Sequence, residues 1–286
     1  MSPSQCLEQL PAVLSSTEPN SHLFFRYELY RLDALLNLGR FEQLQQALSP
    51  WLDNTTVPMR FRLAVLTYQA KVFHVAKKPQ LASRWLNKAL TLMQQFSEHS
   101  SSPMAMIEIA NLQLYLNDIE AAYQTLRTIE QKHLRHASPR FKQELYANLA
   151  QALRKQGDLT QHLDYRQRSL RAAEAVSNLQ QIGVSWHNVA RAHQILEQFN
   201  HAESAFIKAA DFAKRAGDEA TLMQCLLYRA EIAHHNQQLK KAEQLLSLID
   251  ERPLTPSRRA VLRQLSQALG LTRESGAFDA RDPDTI

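Results

Sequence analysis

Five positions, Ala82, Ala122, His162, Ala202 and Ala242, recur at a constant interval of 40 residues, and the pattern around each recurs with them. A fixed period of that size is the signature of stacked helical repeats, because each repeat is one supersecondary element that buries its apolar face only against its neighbours. Four residues further on stand Leu86, Leu126, Arg166, Phe206 and Leu246, and seven further on Ala89, Ile129, Ser169, Ala209 and Ile249. Offsets of 0, 4 and 7 share one face of a helix, so each repeat carries an inner stripe that is small, then large, then small or branched. Twelve residues before each position lies Ala70, Ala110, Ala150, Ala190 or Ala230. An alanine five times in succession predicts a close helix crossing, since a larger side chain would hold the backbones apart. Turns fall between the two helices at Lys77-Lys78-Pro79, Asn117-Asp118-Ile119, Gly157-Asp158-Leu159, Glu197-Gln198-Phe199 and Gln237-Gln238-Leu239.

The ends depart from the period. Leu7, Leu10, Val13 and Leu14 predict a short N-terminal helix packed on the first repeat, giving an N-terminal cap over residues 1–20. Thr255-Pro256-Ser257 introduces Val261, Leu262, Leu265 and Leu269 at helical spacing, which predicts a C-terminal capping helix over 254–270. Residues 271–286 are polar and acidic without periodicity, and are expected to form a flexible tail. The start has no basic and apolar leader, and no stretch approaches about 18 uninterrupted apolar residues, which points to a soluble cytoplasmic protein. Its two cysteines, Cys6 and Cys225, make neither a disulfide framework nor a zinc cluster and agree with a reducing compartment.

The Trp186-x-x-Val189-Ala190 start of one repeat and the Gly39-Arg40-Phe41 and Gly157-Asp158-Leu159 turns resemble the tetratricopeptide repeat family. Leu32, Gly39, Phe41, Leu44, Leu48 and Trp51 fit an earlier copy, so about six repeats span residues 21–253. The resemblance implies an all-α, right-handed superhelical solenoid of helix-turn-helix repeats. The family's usual period is about 34 residues, and the longer repeat adds about 9 Å of helix. It is similar to the long-repeat subset found in bacterial signalling receptors, peptide-sensing regulators and scaffold adaptors.

In that family the first helix of each repeat lines a concave groove around the close-packed alanine. Carried onto this chain, the residue after the alanine is Lys71, Asn111, Gln151, Arg191 or Glu231, with Asp33 in the first repeat. The residue two before it is Tyr68, Glu108, Asn148, Asn188 or Tyr228. A side-chain amide such as that of Asn148 or Asn188 donates to and accepts from one peptide unit at once. These residues read equally as the solvated faces of amphipathic helices.

Charge narrows the choice. Lys132 to Arg171 holds nine Lys/Arg against three acids, so the remainder of the +5 chain is nearly neutral. Arg154 and Lys155 at the end of one first helix, beside His187, Asn188 and Arg191 of the next, would make the groove centre a cationic pocket for a carboxylate, an acidic peptide or a phosphate. Arg166, Arg168 and Arg171 read instead as convex, solubilising residues, and His162 as a packing residue at a looser crossing. The chain has no nucleic-acid-binding signature despite a pI near 9.2. Eleven histidines include the pairs His133/His136 and His234/His235, but no metal-ligand pattern accompanies them. No cofactor or metal site is expected, and no phosphate loop, nucleophile elbow or acid-base pair marks an enzyme.

These readings converge on a non-catalytic scaffold or adaptor that holds a protein or peptide segment, plausibly acidic, without engaging nucleic acid or membrane. Its expected contacts are Lys71, Asn111, Asn148, Gln151, Arg154, Lys155, His187, Asn188, Arg191, Tyr228 and Glu231. The alternative is a regulatory receptor that senses a peptide or small signal and acts through a response or transcription regulator. Some long-repeat relatives are phosphatases of response regulators, which leaves that activity as a remote third reading. Homo-oligomerisation is left open.

Overall fold

The computed structural model describes residues 3–99 and 103–271. The expected acidic tail, apart from Leu271, lies outside the described residues. Among those described the secondary structure is helical: α1 (Pro3–Ser15), α2 (His22–Asn37), α3 (Phe41–Leu48), α4 (Met59–Val75), α5 (Pro79–His99), α6 (Pro103–Tyr115), α7 (Ile119–His133), α8 (Pro139–Gln156), α9 (Leu159–Val176), α10 (Leu179–Ile195), α11 (Phe199–Ala216), α12 (Glu219–His235), α13 (Leu239–Ser247) and α14 (Pro256–Ala268). Short 3-10 turns occupy Ser49–Trp51 and Leu134–His136. The chain falls into two compact units, one ending at Asp118 and the other beginning at Ile119. No helix among the described residues is long and apolar enough to cross a membrane.

The 40-residue period is written into the backbone at the turns. Lys77, Asn117, Gly157, Glu197 and Gln237 all adopt the left-handed conformation, with φ of 55°, 66°, 90°, 57° and 59°. In each turn the next amide donates to a carbonyl five residues back: Lys78 to Phe73, Asp118 to Gln113, Asp158 to Leu153, Gln198 to His193 and Gln238 to Ala233. That bond satisfies a carbonyl left over at the helix end and reverses the chain in very few residues. Glycine takes this conformation without a Cβ penalty, yet only one of the five is glycine. Five helices of the second unit, α8, α9, α10, α12 and α14, start on side-chain caps, where Ser138, Asp158, Asn178, Asp218 and Thr255 accept from Phe141, Gln161, Gln181, Thr221 and Arg258, whereas α11 and α13 start without one.

The alanines behave as the spacing requires. Ala70, Ala110, Ala150, Ala190 and Ala230 are fully buried, as are Ala82, Ala122, Ala202 and Ala242 to within 1%. In the second unit Ala190 and Ala202 belong to one core cluster with Phe206, Ala209, Cys225 and Tyr228. Gly183 tightens the same packing: a Cβ there would stand 3.3 Å from the Ala213 nitrogen and the Phe212 Cβ, which brings α10 hard against α11. Leu262 and Leu265 of α14 pack with Leu226, Leu227, Ala242 and Leu246, so α14 covers apolar surface that the last helix pair leaves. In the first unit the rings of Phe25, Trp51 and Phe61 meet edge-on or tilted, 5.0 to 5.9 Å apart, and Leu7 of α1 packs against their cluster.

Two turn substitutions test the backbone assignment by urea unfolding. Gly157→Ala, at φ 90°, should cost about 1 kcal/mol. Glu197→Gly, at φ 57°, should be stabilising by a few tenths of a kcal/mol because the left-handed penalty disappears. A Glu197→Gly protein about 1 kcal/mol less stable than wild type, as for glycine inside a helix, would contradict the turn.

Candidate functional site

The helix pair α8 and α9 breaks the apolar stripe three times, at His162, Arg166 and Ser169. Two of these exceptions are satisfied locally. His162 is buried, and its Nδ1 lies 2.7 Å from the Ala150 carbonyl oxygen on α8, so Nδ1 carries the proton and donates. Ser169 is buried and its hydroxyl donates to the Gln143 carbonyl at 3.0 Å. Arg166 occupies the slot where the other repeats bury Leu86, Leu126, Phe206 and Leu246, and it has no ion-pair or hydrogen-bond partner among the described residues. Burial, reinforced by the Arg154 guanidinium, lowers its pKa to about 10.

Arg166 opens into a cavity of about 210 Å³ lined by Arg154, His162, Arg166, His187, Asn188, Arg191, Ile195, Gln224, Tyr228 and Arg258. The four arginines come from four different helices, α8, α9, α10 and α14, and no carboxylate is in the lining. None of the four is ion-paired among the described residues. Tyr228 is the floor that organises two of them. One of its faces stacks on Phe206, with centroids 5.2 Å apart and 13° between planes, while the guanidiniums of Arg191 and Arg258 lie 4.2 and 4.6 Å from its centroid. Arg191 also donates to Gln194 Oε1 at 2.7 Å. The Thr255 cap starts α14 and so fixes the backbone from which Arg258 reaches in.

Electrostatics follow from this crowding. The His187 imidazole is held neutral, its pKa lowered to about 4 by burial and then by Arg191, Arg258 and Arg166, and its Nε2 is shielded from solvent with no hydrogen-bond partner. His162 is likewise lowered to about 4, by burial first and by Arg166 and Arg154. Glu231 stands near the rim. Burial raises its pKa, while Arg191, Arg258 and a hydrogen bond with Gln194 pull it back down. Burial also raises the Tyr228 phenol, against the same cations. Four permanent positive charges thus face one cavity whose lining has no carboxylate, with Glu231 beside it the single acid coupled to Arg191 and Arg258, and the excess of positive charge gives the cavity the capacity to hold an anion.

Of the residues expected from sequence, Arg154, His187, Asn188, Arg191 and Tyr228 meet at this cavity. Glu231 neighbours it, Gln151 and Lys155 are exposed and outside the lining, and Asn148 is buried with its amide donating to the Glu144 carbonyl at 2.9 Å. The Asn148 amide is therefore bonded to its own helix instead of being presented as a peptide clamp. Lys71 and Asn111 lie in the first compact unit, where Asn111 is exposed. The Lys71 ammonium lies 5.6 and 5.5 Å from the Tyr68 and Tyr115 ring centroids, its pKa lowered by burial against the pull of Asp33. Two corrections concern charge. Arg166 is not a solubilising convex residue like Arg168, which pairs with Asp164 at 2.7 Å, but a wall of the cavity. Arg258, read from sequence only as part of a capping helix, is another wall. The signal for Arg166 was its substitution in a leucine slot; Arg258 sits outside the period and left none.

The fold is that of tetratricopeptide-like helical repeats. The arginine cavity lies within the second compact unit of that fold. A superposable structure is the signal transduction ATPase with numerous domains from Pyrococcus horikoshii, which carries a tetratricopeptide repeat sensor; it is 15% identical with a TM-score of 0.61 over 94% of this chain, and the match spans 42% of that chain. A Rap protein complexed with competence and sporulation factor matches at 13% identity and a TM-score of 0.61, covering 92% of this chain and 73% of that one. PlcR from Bacillus thuringiensis, in complex with the peptide PapR7 and DNA, matches at 16% identity and a TM-score of 0.53, covering 70% and 73%. At such identities the likeness is one of fold. No protein-family model and no curated protein matches the sequence.

The buried imidazoles set an acid sensitivity. An unfolded chain binds the His162 proton as pH falls through 6.5, whereas the folded chain resists until about 4, so stability is lost across that window. His162→Ala, the residue that the other repeats carry, should remove on the order of 2 kcal/mol of the difference in unfolding free energy between pH 7 and pH 4.5, with His187 keeping the remainder. Equal pH dependence in both proteins, measured by urea midpoints, would show that His162 takes up its proton as readily folded as unfolded.

Proposed function

We propose that this chain is a non-catalytic binding module that holds a segment of a partner protein or peptide through an anionic group seated in the arginine cavity. The observation that carries the reading is the convergence of Arg154, Arg166, Arg191 and Arg258 from four helices on one cavity without a carboxylate. Retaining unpaired guanidiniums partly out of water is costly unless a ligand completes the site. The cavity itself is polar, with Ile195 and Tyr228 as its main apolar surface, so it would fix one group of a longer segment while flanking polar residues such as Gln151 and Asn188 meet the rest. The Rap and PlcR structures, solved in complex with competence and sporulation factor and with the peptide PapR7 and DNA, support a segment-binding use of this fold.

A receptor is the second reading, favoured by one observation: the cavity draws walls from α8, α9, α10, α12 and α14. A ligand there would tie successive helix pairs and the terminal helix together, and so bias their arrangement. Unchanged hydrogen exchange in α14 on binding would leave the scaffold reading in place of the receptor one.

Short acidic peptides, presented as a fluorescence-anisotropy panel, test the binding reading. Wild type should bind a subset, Arg191→Gln should bind that subset about tenfold or more weakly, and raising salt should weaken both. A panel bound equally by Arg191→Gln and wild type would remove the cavity from the binding surface.

A further inference from the structure

We propose that the anion taken by this cavity is a phosphoryl dianion, the phosphate monoester of a modified side chain on the bound segment. The inference deepens the segment-binding reading and rests on it. A carboxylate is planar, has two oxygens and is matched by one bidentate guanidinium. Here guanidiniums arrive from α8, α9, α10 and α14 around one volume, each a rigid fork of donors, which suits a tetrahedral group with three terminal oxygens and nearly two negative charges. Even with Glu231 beside Arg191 and Arg258, a single carboxylate would leave the four cations in excess by two charges. His187 Nε2, shielded and without a partner, is a further polar atom at the same wall, and in the tautomer with its proton on Nε2 it would donate to a ligand oxygen. Asn188 and Gln224 add neutral amide donors.

Size and stacking narrow the source. The cavity of about 210 Å³ has room for a phosphoryl group, its ester oxygen and accompanying waters. It is smaller than the pockets that enclose whole drug-sized molecules. A nucleotide base would need an aromatic face, and that of Tyr228 is already covered by Phe206, Arg191 and Arg258. The groups facing the anion are Arg154 from α8, His162 and Arg166 from α9, His187 and Arg191 from α10, Tyr228 with Glu231 beside it from α12, and Arg258 from α14. Both histidines remain neutral to about pH 4, so between pH 5.5 and 7.5 the ligand's second ionisation, near pH 6, changes charge, and sulfate, which stays a dianion, reports separately any change in Glu231, whose pKa burial raises.

Calorimetric titration of the full chain decides this with five probes: a phosphoserine peptide, its serine counterpart, inorganic phosphate, acetate, and sulfate, a dianion at every pH used. The phosphoserine peptide should bind at least tenfold tighter than its serine counterpart or acetate. Its affinity should drop about fourfold from pH 7.5 to 5.5, following the dianion fraction, while that of sulfate holds. Arg166→Leu restores the residue found in three other repeats and should fold at least as stably as wild type, yet bind the phosphopeptide at least tenfold more weakly. Should it fail to fold, Arg154→Gln at an exposed position carries the same expectation. Acetate or the serine peptide binding as tightly as the phosphopeptide would overturn the phosphoryl assignment and leave segment binding standing. Inorganic phosphate binding as tightly as the phosphopeptide would overturn the modified side chain as the source. Protection by phosphate together with an acidic-peptide panel that never binds would sink the segment reading instead.

Discussion

Close contact between helices at buried alanines is the constraint on which the rest depends. A methyl group at Ala150, Ala190 and Ala230, and again at Ala202 and Ala242, lets the backbones of paired helices approach until side chains of neighbouring rows interlock. Any larger residue must bring its own accommodation, and the chain offers one instance. His162 fits because its Nδ1 replaces a missing apolar contact with a hydrogen bond to the Ala150 carbonyl, at the other alanine slot of the same crossing. Without that bond, a buried imidazole would carry the full penalty of an unsatisfied polar group.

That accommodation has a consequence for charge. Once α9 carries polar residues on its inner stripe, Ser169 and His162 are both anchored to carbonyls of α8, and Arg166 between them has none to use. Between α9 and α7, Tyr165 joins Arg127 and Glu130 in a second polar group, where the Tyr165 hydroxyl donates to the Glu130 carboxylate and accepts from Arg127 at 2.8 Å. That group is closed, each charge facing its opposite. The arginine cavity is open, and the contrast between a satisfied network and an unsatisfied one a few turns away separates structure from function here.

How much was legible beforehand differs by residue. Arg154, His187, Asn188, Arg191 and Tyr228 could be named because the period assigns each a register relative to the alanine, and register decides which face of a helix a side chain shares. Asn148 had the same register as Asn188 yet bonds to its own helix, because side-chain amides compete locally for carbonyls in a way that spacing does not encode. Arg166 was visible as a broken rule, but a broken rule does not say whether the side chain swings to solvent or into a cavity. Turns at Glu197 and Gln237 were placed by the period alone, since neither residue is turn chemistry, and both take the left-handed conformation.

By itself, then, the sequence determined the class of fold, the turns and the faces of the helices, because a strict repeat makes all three local and periodic. Tertiary structure alone decided that Arg258 from α14 and Arg166 from α9 meet Arg154 and Arg191 across Tyr228. Their separation along the chain follows no period, and four like charges come together only where packing of the helices between them holds them there. Burial of Arg166, the neutral state of His187 and the excess of positive charge are properties of that meeting, and no residue carries them alone.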